Sequence, residues 1–361
     1  MADLKSASTA SVQLPVIDIS HISTEVGKSM IDAATKYGFL YVDSKSSDFT
    51  KEDVDNAFEL AKGFFALPYE EKAKFKYQND NSGWVGMHRE RLDPEHQKRG
   101  DFKEAMNFRE FKDGKAMQAL PPFLVPHEPE IAYFLDLCQK TCHRILSLLA
   151  LGLGIPQDWF TSRHDTSKGP SGTTFRFLYY PSITSPATSN YDHGVDVRAG
   201  AHSDYGSITL LFQRDGQPGL EILTPEGNWA SVPVRPQQNN SSGIRQLESS
   251  FPPILVNIGD LLSYWTCGLL KSTVHRVIFP LEEQQANNNA RDRYSMAYFC
   301  HPVDSVELEP VPSQLVEQRR EELARSGQAA EGPATGGKAP TARDHLLSRL
   351  AATYGETRKR E

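Results

Sequence analysis

The segment "AGAHSDYGSITLL" (residues 199–211) places a histidine and an aspartate two positions apart at the start of an apolar run with β-branched residues. Side chains alternate between the two faces of a strand, so His202 and Asp204 would point to the same side. Such a pair is either a structural hydrogen bond or two ligands of something held between them. Because an H-x-D spacing also arises by chance, the pair alone does not distinguish a structural hydrogen bond from a ligand site.

A third candidate ligand, His275, lies in the β-type segment "KSTVHRV" (271–277). Strands that are distant in sequence become neighbours when a barrel closes. Two imidazoles and one carboxylate on one face of a metal leave its opposite face open, which suits non-haem Fe(II) that must bind O2 and a co-substrate. Zinc accepts the same ligand types, although a catalytic zinc usually keeps one open position. The alternative is that Asp204 pairs with a local amide and both histidines are core residues.

The segment "RYSMAYF" (293–299) decides between these interpretations. Arg293 and Ser295 share a strand face, and a guanidinium beside a hydroxyl in an apolar strand makes a receptor for a carboxylate. An unpaired buried arginine is costly, so we expect an anionic partner. That partner is a ligand or one of the chain's own carboxylates. With this pair downstream, the sequence favours a metal site over a chance spacing.

Composition excludes several other classes of protein. The chain has 361 residues and a formal net charge of -7, which argues against a nucleic-acid binder with a basic surface. No apolar run approaches the roughly 20 residues that span a bilayer, and the N-terminal segment lacks the features of a secretory signal. The four cysteines form no C-x-x-C pair, and Cys138 and Cys142 fit a buried helix face as small core residues. We expect a reduced, cytoplasmic monomer that binds a small molecule, with no nucleic acid and no membrane as partner.

Residues 1–125 are predicted to form an N-terminal mixed α/β region. The segments "LPVIDIS" and "GFLYVDS" are typical of strands, with a helix between them. Thr50 and Asp53 have the spacing of a capping box and predict the start of a second helix. From about residue 80 to 125, Gly, Pro and charged residues predict mainly loop and short turns.

Residues 126–325 are predicted to form the core region, in which a long amphipathic helix precedes several short β-type runs. Such runs at this spacing suggest a sandwich or barrel, and "TPEGNW" is a hairpin signal. The polar insert at 235–251 is expected to be a mobile loop. Residues 326–341 are predicted to be a disordered linker, and residues 342–361 a C-terminal helix that folds back on the body of the protein.

Taken together, the H-x-D, distant H and R-x-S residues resemble the 2-oxoglutarate- and Fe(II)-dependent dioxygenases of the isopenicillin N synthase-like family. The resemblance covers most of the chain, since "LPVIDIS", "GFLYV", "FFALPYEEK", "GDFKEAMNF", "NIGDLLSYW" and "LKSTVHRV" follow in the family's order. Within that family the chain is most like the thymine dioxygenases. The resemblance implies a mainly β fold with flanking helices and a double-stranded β-helix (jelly-roll) core. It also implies that Fe(2+), 2-oxoglutarate and O2 take part in oxidising a small organic molecule, in secondary-metabolite biosynthesis.

Position by position, the resemblance implies roles for individual residues. It implies that His202, Asp204 and His275 are the catalytic iron ligands. It implies that Arg293 and Ser295 hold the distal carboxylate of 2-oxoglutarate.

Two further positions bear on the co-substrate. Tyr180, in "FLYYP", matches a tyrosine that touches the co-substrate in many relatives. Many members have Asn before the Tyr-Tyr pair, where this chain has Leu178, so one co-substrate contact differs.

Candidate substrate-binding residues follow from the likeness to the thymine dioxygenases. Aromatic residues at the positions of Tyr205 and Phe299 sandwich the pyrimidine in those enzymes, and an arginine matching Arg176 lies near it. Ordinary core packing is the competing interpretation for the two aromatic residues. An arginine between two phenylalanines needs a partner or water. Thymine is therefore one substrate to test within a wider class of small molecules.

Specificity is expected to lie in the insert at 235–251 and in residues 80–100, because substrate loops diverge fastest. The polar and aromatic residues of the second segment are Trp84, His88, Arg89 and Arg91. Two other functions stay open: an Fe(II)/O2 oxidase that does not use 2-oxoglutarate, and a non-catalytic binding protein on the same fold. The second would be expected to have lost a ligand or the arginine.

Overall fold

Two β-sheets that face each other position the residues singled out above. The computed structural model describes residues 8, 10–78, 80–240, 243–246, 249–285, 290–328, 332–333 and 338–354. In chain order the helices are α1 (Thr24–Lys36), α2 (Lys51–Phe65), α3 (Tyr69–Ala73), α4 (Glu128–Gly152), α5 (Asp260–Trp265), α6 (Leu281–Gln285), α7 (Gln314–Arg325) and α8 (Ala342–Tyr354). The strands are β1 (Val16–Ile17), β2 (Phe39–Val42), β3 (Gly83–Val85), β4 (Glu104–Phe108), β5 (Phe111–Lys112), β6 (Lys115–Ala116), β7 (Thr174–Tyr180), β8 (Ala199–His202), β9 (Ile208–Gln213), β10 (Leu220–Leu223), β11 (Trp229–Ser231), β12 (Gln237–Asn240), β13 (Gly243–Gln246), β14 (Ile254–Ile258), β15 (His275–Val277) and β16 (Arg293–Cys300).

Within the described residues, the larger sheet has eight strands in the order β1-β2-β14-β9-β16-β7-β4-β3. The smaller sheet has four, in the order β11-β10-β15-β8. Leu178 and Leu255 from the larger sheet and Ala199 and Ile222 from the smaller one belong to a single buried cluster. The inner faces of the sheets are therefore packed on each other. This arrangement agrees with the predicted jelly-roll core.

Helices α1, α2 and α4 pack against the larger sheet. Phe134 of α4 packs against that sheet, with its ring centroid 5.3 Å from that of Phe175 and 5.1 Å from that of Phe212. Helices α1 and α4 cross with their backbones in contact, because a Cβ on Gly27 would lie 2.5 Å from the carbonyl oxygen of Leu148. A larger residue at Gly27 would separate the two helices.

Several local predictions are confirmed. Helix α2 begins with the Thr50–Asp53 capping box, and "TPEGNW" joins the antiparallel strands β10 and β11. The predicted C-terminal helix is α8 in its described part. No helix in the described ranges is long and apolar enough to cross a membrane.

Two loop predictions need correction. Residues 80–125 contain β4, a strand of the larger sheet between β3 and β7. The charged residue Glu104 made this segment resemble a loop, but in the folded protein its charge is paired with Lys72. The Glu104 carboxylate there lies 2.8 Å from Lys72 Nζ and accepts a hydrogen bond from Trp84 Nε1. In the insert at 235–251, β12 and β13 pair as a two-stranded ladder. The linker predicted at 326–341 is described only in part: residues 326–328, 332–333 and 338–341 lie within the described ranges, and the others lie outside them.

Candidate active site

The three predicted metal ligands come together where β8 and β15 pair. His275 is directly opposite His202 in the antiparallel ladder, and Asp204 follows two residues after His202. The Asp204 Oδ1 atom is 3.8 Å from His202 Nε2 and 3.7 Å from His275 Nε2. One ligand atom from each residue lies within 4.8 Å of the others. A single ion can therefore be shared by all three side chains.

Surrounding groups orient the two imidazoles. The Nδ1 atom of His202 is 2.7 Å from the carbonyl oxygen of Gly200, and that of His275 is 3.2 Å from the carbonyl oxygen of Thr273. A carbonyl can only accept, so each Nδ1 carries the hydrogen and each Nε2 keeps its lone pair. This is the tautomer that a metal-ligating histidine needs.

The carboxylate of Asp204 is held in a similar way. Its Oδ2 atom accepts hydrogen bonds from Thr209 Oγ1 at 2.6 Å and from Asn257 Nδ2 at 2.8 Å. Both donors bond to the same oxygen, so Oδ1 is left facing the two imidazoles. These donors were not identified from the sequence, although Asn257 lies in the quoted "NIGDLLSYW" segment.

The protonation states also suit metal binding. Burial, followed by the neighbouring His275, lowers the pKa of His202 to about 3, so its imidazole is neutral near pH 7. Burial alone would raise the pKa of Asp204, but the two imidazoles and the two hydrogen-bond donors lower it overall. Metal ligands must be neutral imidazoles and ionised carboxylates. The donor set therefore fits Fe(II) with one face left open.

A carboxylate receptor lies in the same cavity. Arg293 is buried, and its Nη1 donates to Ser295 Oγ at 3.2 Å. The Tyr180 ring, on the strand paired with β16, lies 4.9 Å from the guanidinium. Leu178, which is opposite Ser295 and lines the cavity, supplies no polar group.

The chain's own carboxylates do not occupy this receptor. In the part of the chain that the structure describes, no carboxylate lies within 4.0 Å of Arg293, and its Nε has no hydrogen-bond partner. The nearby carboxylate of Glu283 pairs instead with Arg198, at 3.4 Å. The structural ion pair considered above is therefore not formed, and the guanidinium remains available to an anionic ligand.

The predicted substrate residues line the same cavity beyond the metal ligands. Tyr205, Phe299 and Arg176 all contribute to its wall. The Arg176 guanidinium lies 5.7 Å from the centre of the Phe299 ring and 3.2 Å from Glu90 Oε1. Arg176 thus has the partner that its position between two phenylalanines requires.

Further residues that the sequence did not single out also line the cavity. They include polar and apolar side chains that are distant in sequence, namely Asn81, Leu92, Lys103, His301, Leu346 and Leu350. Burial would lower the pKa of Lys103, but Asp101 at 2.5 Å and Glu90 at 3.0 Å raise it overall, so the ammonium stays charged.

Only part of the segment at 80–100, where specificity was expected, reaches the cavity wall. Asn81 and Leu92 line the cavity, whereas the four residues named for it do not. Trp84 is buried and bonded to Glu104, and the His88 ring packs on Phe102 with centroids 4.4 Å apart. Arg91 donates to backbone carbonyls of its own loop, and Arg89 also lies outside the cavity wall.

Helix α8 closes the side of the cavity next to Tyr205. Leu346 and Leu350 project into the wall, and Arg349 forms an ion pair with Asp260 at 2.7 Å. The Asp260 carboxylate also accepts a hydrogen bond from Ser203, the residue between the two ligands of the H-x-D pair. The C-terminal helix is thus connected, through Asp260, to the loop that carries the predicted metal ligands.

Comparison with known proteins agrees with this geometry. Residues 14–128 match the family model described as "non-haem dioxygenase in morphine synthesis N-terminal", and residues 173–302 match the "2OG-Fe(II) oxygenase superfamily". A UPF0676 protein of Schizosaccharomyces pombe is 38% identical over 83% of this chain and 85% of its own length. A homoarginine-6-hydroxylase of Glycine max is 30% identical over 82% of this chain and 88% of its own length.

Solved structures lead to the same family. The crystal structure of the full-length thymine 7-hydroxylase of Neurospora crassa in complex with alpha-KG and thymine has a TM-score of 0.71 and 26% sequence identity. The match covers 97% of this chain and 100% of that chain.

Proposed function

Because this chain belongs to the 2OG-Fe(II) oxygenase superfamily and is a 2-oxoglutarate-dependent dioxygenase, we propose that His202, Asp204 and His275 hold its Fe(II). We propose further that Arg293 and Ser295, beside Tyr180, bind the distal carboxylate of 2-oxoglutarate. The observation that carries this assignment is the single cavity lined by all of these residues.

The reaction consumes 2-oxoglutarate, O2 and one C–H bond, and it yields succinate, CO2 and a hydroxylated product. Iron supplies the activation of O2, and the chain supplies binding and orientation. Arg293 and Ser295 fix one end of the co-substrate, while Thr209 and Asn257 hold the Asp204 carboxylate in place. The apolar side chains of the wall exclude water from the reacting bond.

We propose that the substrate is a small, flat molecule without net charge. Among the described residues that line the cavity, Asp204 is the one carboxylate, and it faces the histidines. Lys103 and Arg176 are already paired with acidic partners, Glu90 among them. Apart from Arg293, which we assign to the co-substrate, the cavity therefore offers no unpaired partner to a cationic or strongly anionic substrate among its described lining residues.

The two aromatic residues support a flat shape, because the Tyr205 and Phe299 rings can contact a planar molecule by stacking. Arg176 and Asn81 offer hydrogen-bond donors to a carbonyl group. Thymine, which the Neurospora crassa thymine 7-hydroxylase binds in its crystal structure, has these properties and is the first compound to test.

The experiment measures succinate formation by the purified enzyme with Fe(II) and 2-oxoglutarate. We expect thymine or another flat neutral compound to raise the rate above that without substrate, and homoarginine to leave it unchanged. Phe299→Leu should weaken the stimulation, whereas Tyr294→Phe, on the opposite face of β16, should not. Stimulation by homoarginine alone would reject the proposed substrate class. Substrate oxidation without 2-oxoglutarate would instead favour the Fe(II)/O2 oxidase.

A cellular setting can be proposed on fewer observations. All four cysteines are buried and unpaired, which suits a reducing compartment such as the cytoplasm. We propose a monomer that acts on a secondary metabolite or a free nucleobase. Extending the succinate screen to such metabolites, and measuring the mass of the protein in solution, tests both points.

A further inference from the structure

The inward-facing side of β16 continues past the end of the strand to a histidine. Arg293, Ser295, Ala297 and Phe299 alternate along this face, and all four line the cavity. His301 is two residues beyond Phe299 and lines the cavity as well. It therefore lies on the same face as the proposed co-substrate receptor, nearer to the proposed substrate residues.

Two glycines leave room for the His301 ring. A Cβ on Gly206 would lie 2.8 Å from its Nε2, and one on Gly172 would lie 3.0 Å from its Nδ1. A side chain at either position would therefore press on the ring. The same Cβ on Gly172 would lie 2.6 Å from Cδ2 of Leu346 on α8. The imidazole is thus held between the two glycines, close to α8.

The imidazole itself has no hydrogen bond within the described residues, although His301 is only 5% exposed. His164, the other strongly buried histidine outside the metal site, uses both nitrogens, at 2.7 Å from the Phe160 carbonyl oxygen and 2.9 Å from Ser207 Oγ. Buried polar groups normally have partners, so an unpaired imidazole on a cavity wall indicates a ligand. Burial lowers the pKa of His301 to about 4, so the ring is neutral near pH 7 and can both donate and accept.

We propose that His301 is a substrate-binding residue, whose imidazole exchanges a hydrogen bond with a ring N–H or carbonyl group of the flat substrate. This inference rests on the proposed function and adds a polar contact at the end of the cavity that α8 closes. It assigns to His301 the recognition of hydrogen-bonding groups, while Tyr205 and Phe299 recognise the flat faces. A compound of the same shape without such a group binds less well.

The test compares two substitutions with thymine as the probe. His301→Phe keeps an aromatic ring without a hydrogen-bonding atom, and His301→Asn keeps hydrogen-bonding atoms without the ring. We expect His301→Phe to raise the KM for thymine about tenfold, the loss typical of one buried hydrogen bond, with the KM for 2-oxoglutarate unchanged. His301→Asn should recover most of the affinity. His143→Phe is the control, since His143 lies on α4 outside the cavity wall.

Each outcome separates this inference from the proposed function. If thymine and the other flat compounds fail to stimulate the unaltered enzyme, the proposed substrate class is wrong and the inference falls with it. If they stimulate it and both His301 variants keep the original KM, the inference alone is wrong. An equal loss in both variants, or a matching rise in the KM for 2-oxoglutarate, assigns His301 a structural role and also overturns the inference.

Discussion

Removing the Thr209 hydroxyl tests how the protein prepares Asp204 for iron. Thr209 Oγ1 and Asn257 Nδ2 both donate to Asp204 Oδ2, at 2.6 and 2.8 Å. Thr209→Val replaces the hydroxyl with a methyl group of similar size and leaves the Asn257 hydrogen bond in place. One of the two hydrogen bonds that keep Oδ1 of Asp204 directed at the histidines is then lost.

The expected magnitude follows from the charge on the acceptor. A hydrogen bond to an ionised group contributes about 1.5–3 kcal/mol. At about 1.4 kcal/mol for each factor of ten, its loss should weaken Fe(II) binding by roughly 10- to 100-fold. The cost of combining Thr209→Val with Asn257→Leu should differ from the sum of the two single costs, because both residues donate to one oxygen atom.

The assay is an anaerobic Fe(II) titration of the metal-free enzyme, with the succinate rate at each Fe(II) concentration as a second readout. Thr35→Val is a matched control, because the buried Thr35 hydroxyl has no hydrogen-bond partner among the described residues. The control should bind Fe(II) like the unaltered protein. If Thr209→Val, with unchanged circular dichroism, binds Fe(II) within threefold of the unaltered protein, the reasoning is refuted.

Four further predictions concern other parts of the molecule. Asp204→Ala should abolish succinate formation, and a folded variant that retains the original rate would disprove the metal assignment. Arg293→Ala should raise the KM for 2-oxoglutarate at least about tenfold, since a charge-assisted pair is lost, without altering the Fe(II) affinity measured by titration. Leu350→Trp should obstruct the cavity beside α8, so thymine stimulation falls while the KM for 2-oxoglutarate is kept. The free energy of unfolding, measured with urea, should decrease as pH falls below about 6.5. Burial lowers the pKa of His164 in the folded protein to about 3, so in this pH range only the unfolded chain takes up a proton at this residue. His164→Asn should make the free energy of unfolding less dependent on pH.

Much of the chemistry could be predicted because it follows from the two-residue period of strands. The period grouped His202 with Asp204 and Arg293 with Ser295. The family, the jelly-roll core, the enzyme class and the cofactors were implied by the resemblance that these residues carry, and they are confirmed. The same period, continued two residues past Phe299, also places His301 on this face. The roles assigned to individual residues stay predictions until the variants are measured.

Other features needed the three-dimensional structure. That His275 lies directly opposite His202 depends on the pairing of β8 with β15, which no local pattern specifies. Strand β4 was missed because Glu104 looks like a loop residue until its contact with Lys72 is seen. The sequence predicts that the C-terminal helix folds back on the body, but not that Leu346 lines the cavity. That position depends on where the chain returns after a segment of low apolar content.

Because helix α8 supplies part of the cavity wall, the shape of the cavity can change independently of the proposed iron and co-substrate sites. If the strands supplied the whole wall, the two would change together. The iron ligands and the proposed co-substrate receptor lie on strands or directly after them, where a one-residue shift turns every side chain to the other face. Leu346 and Leu350 lie instead on a helix at the far end of the sequence, where residues can change without altering any strand register. Substitutions in α8 can therefore alter this part of the cavity wall without shifting the strands that carry the proposed iron ligands.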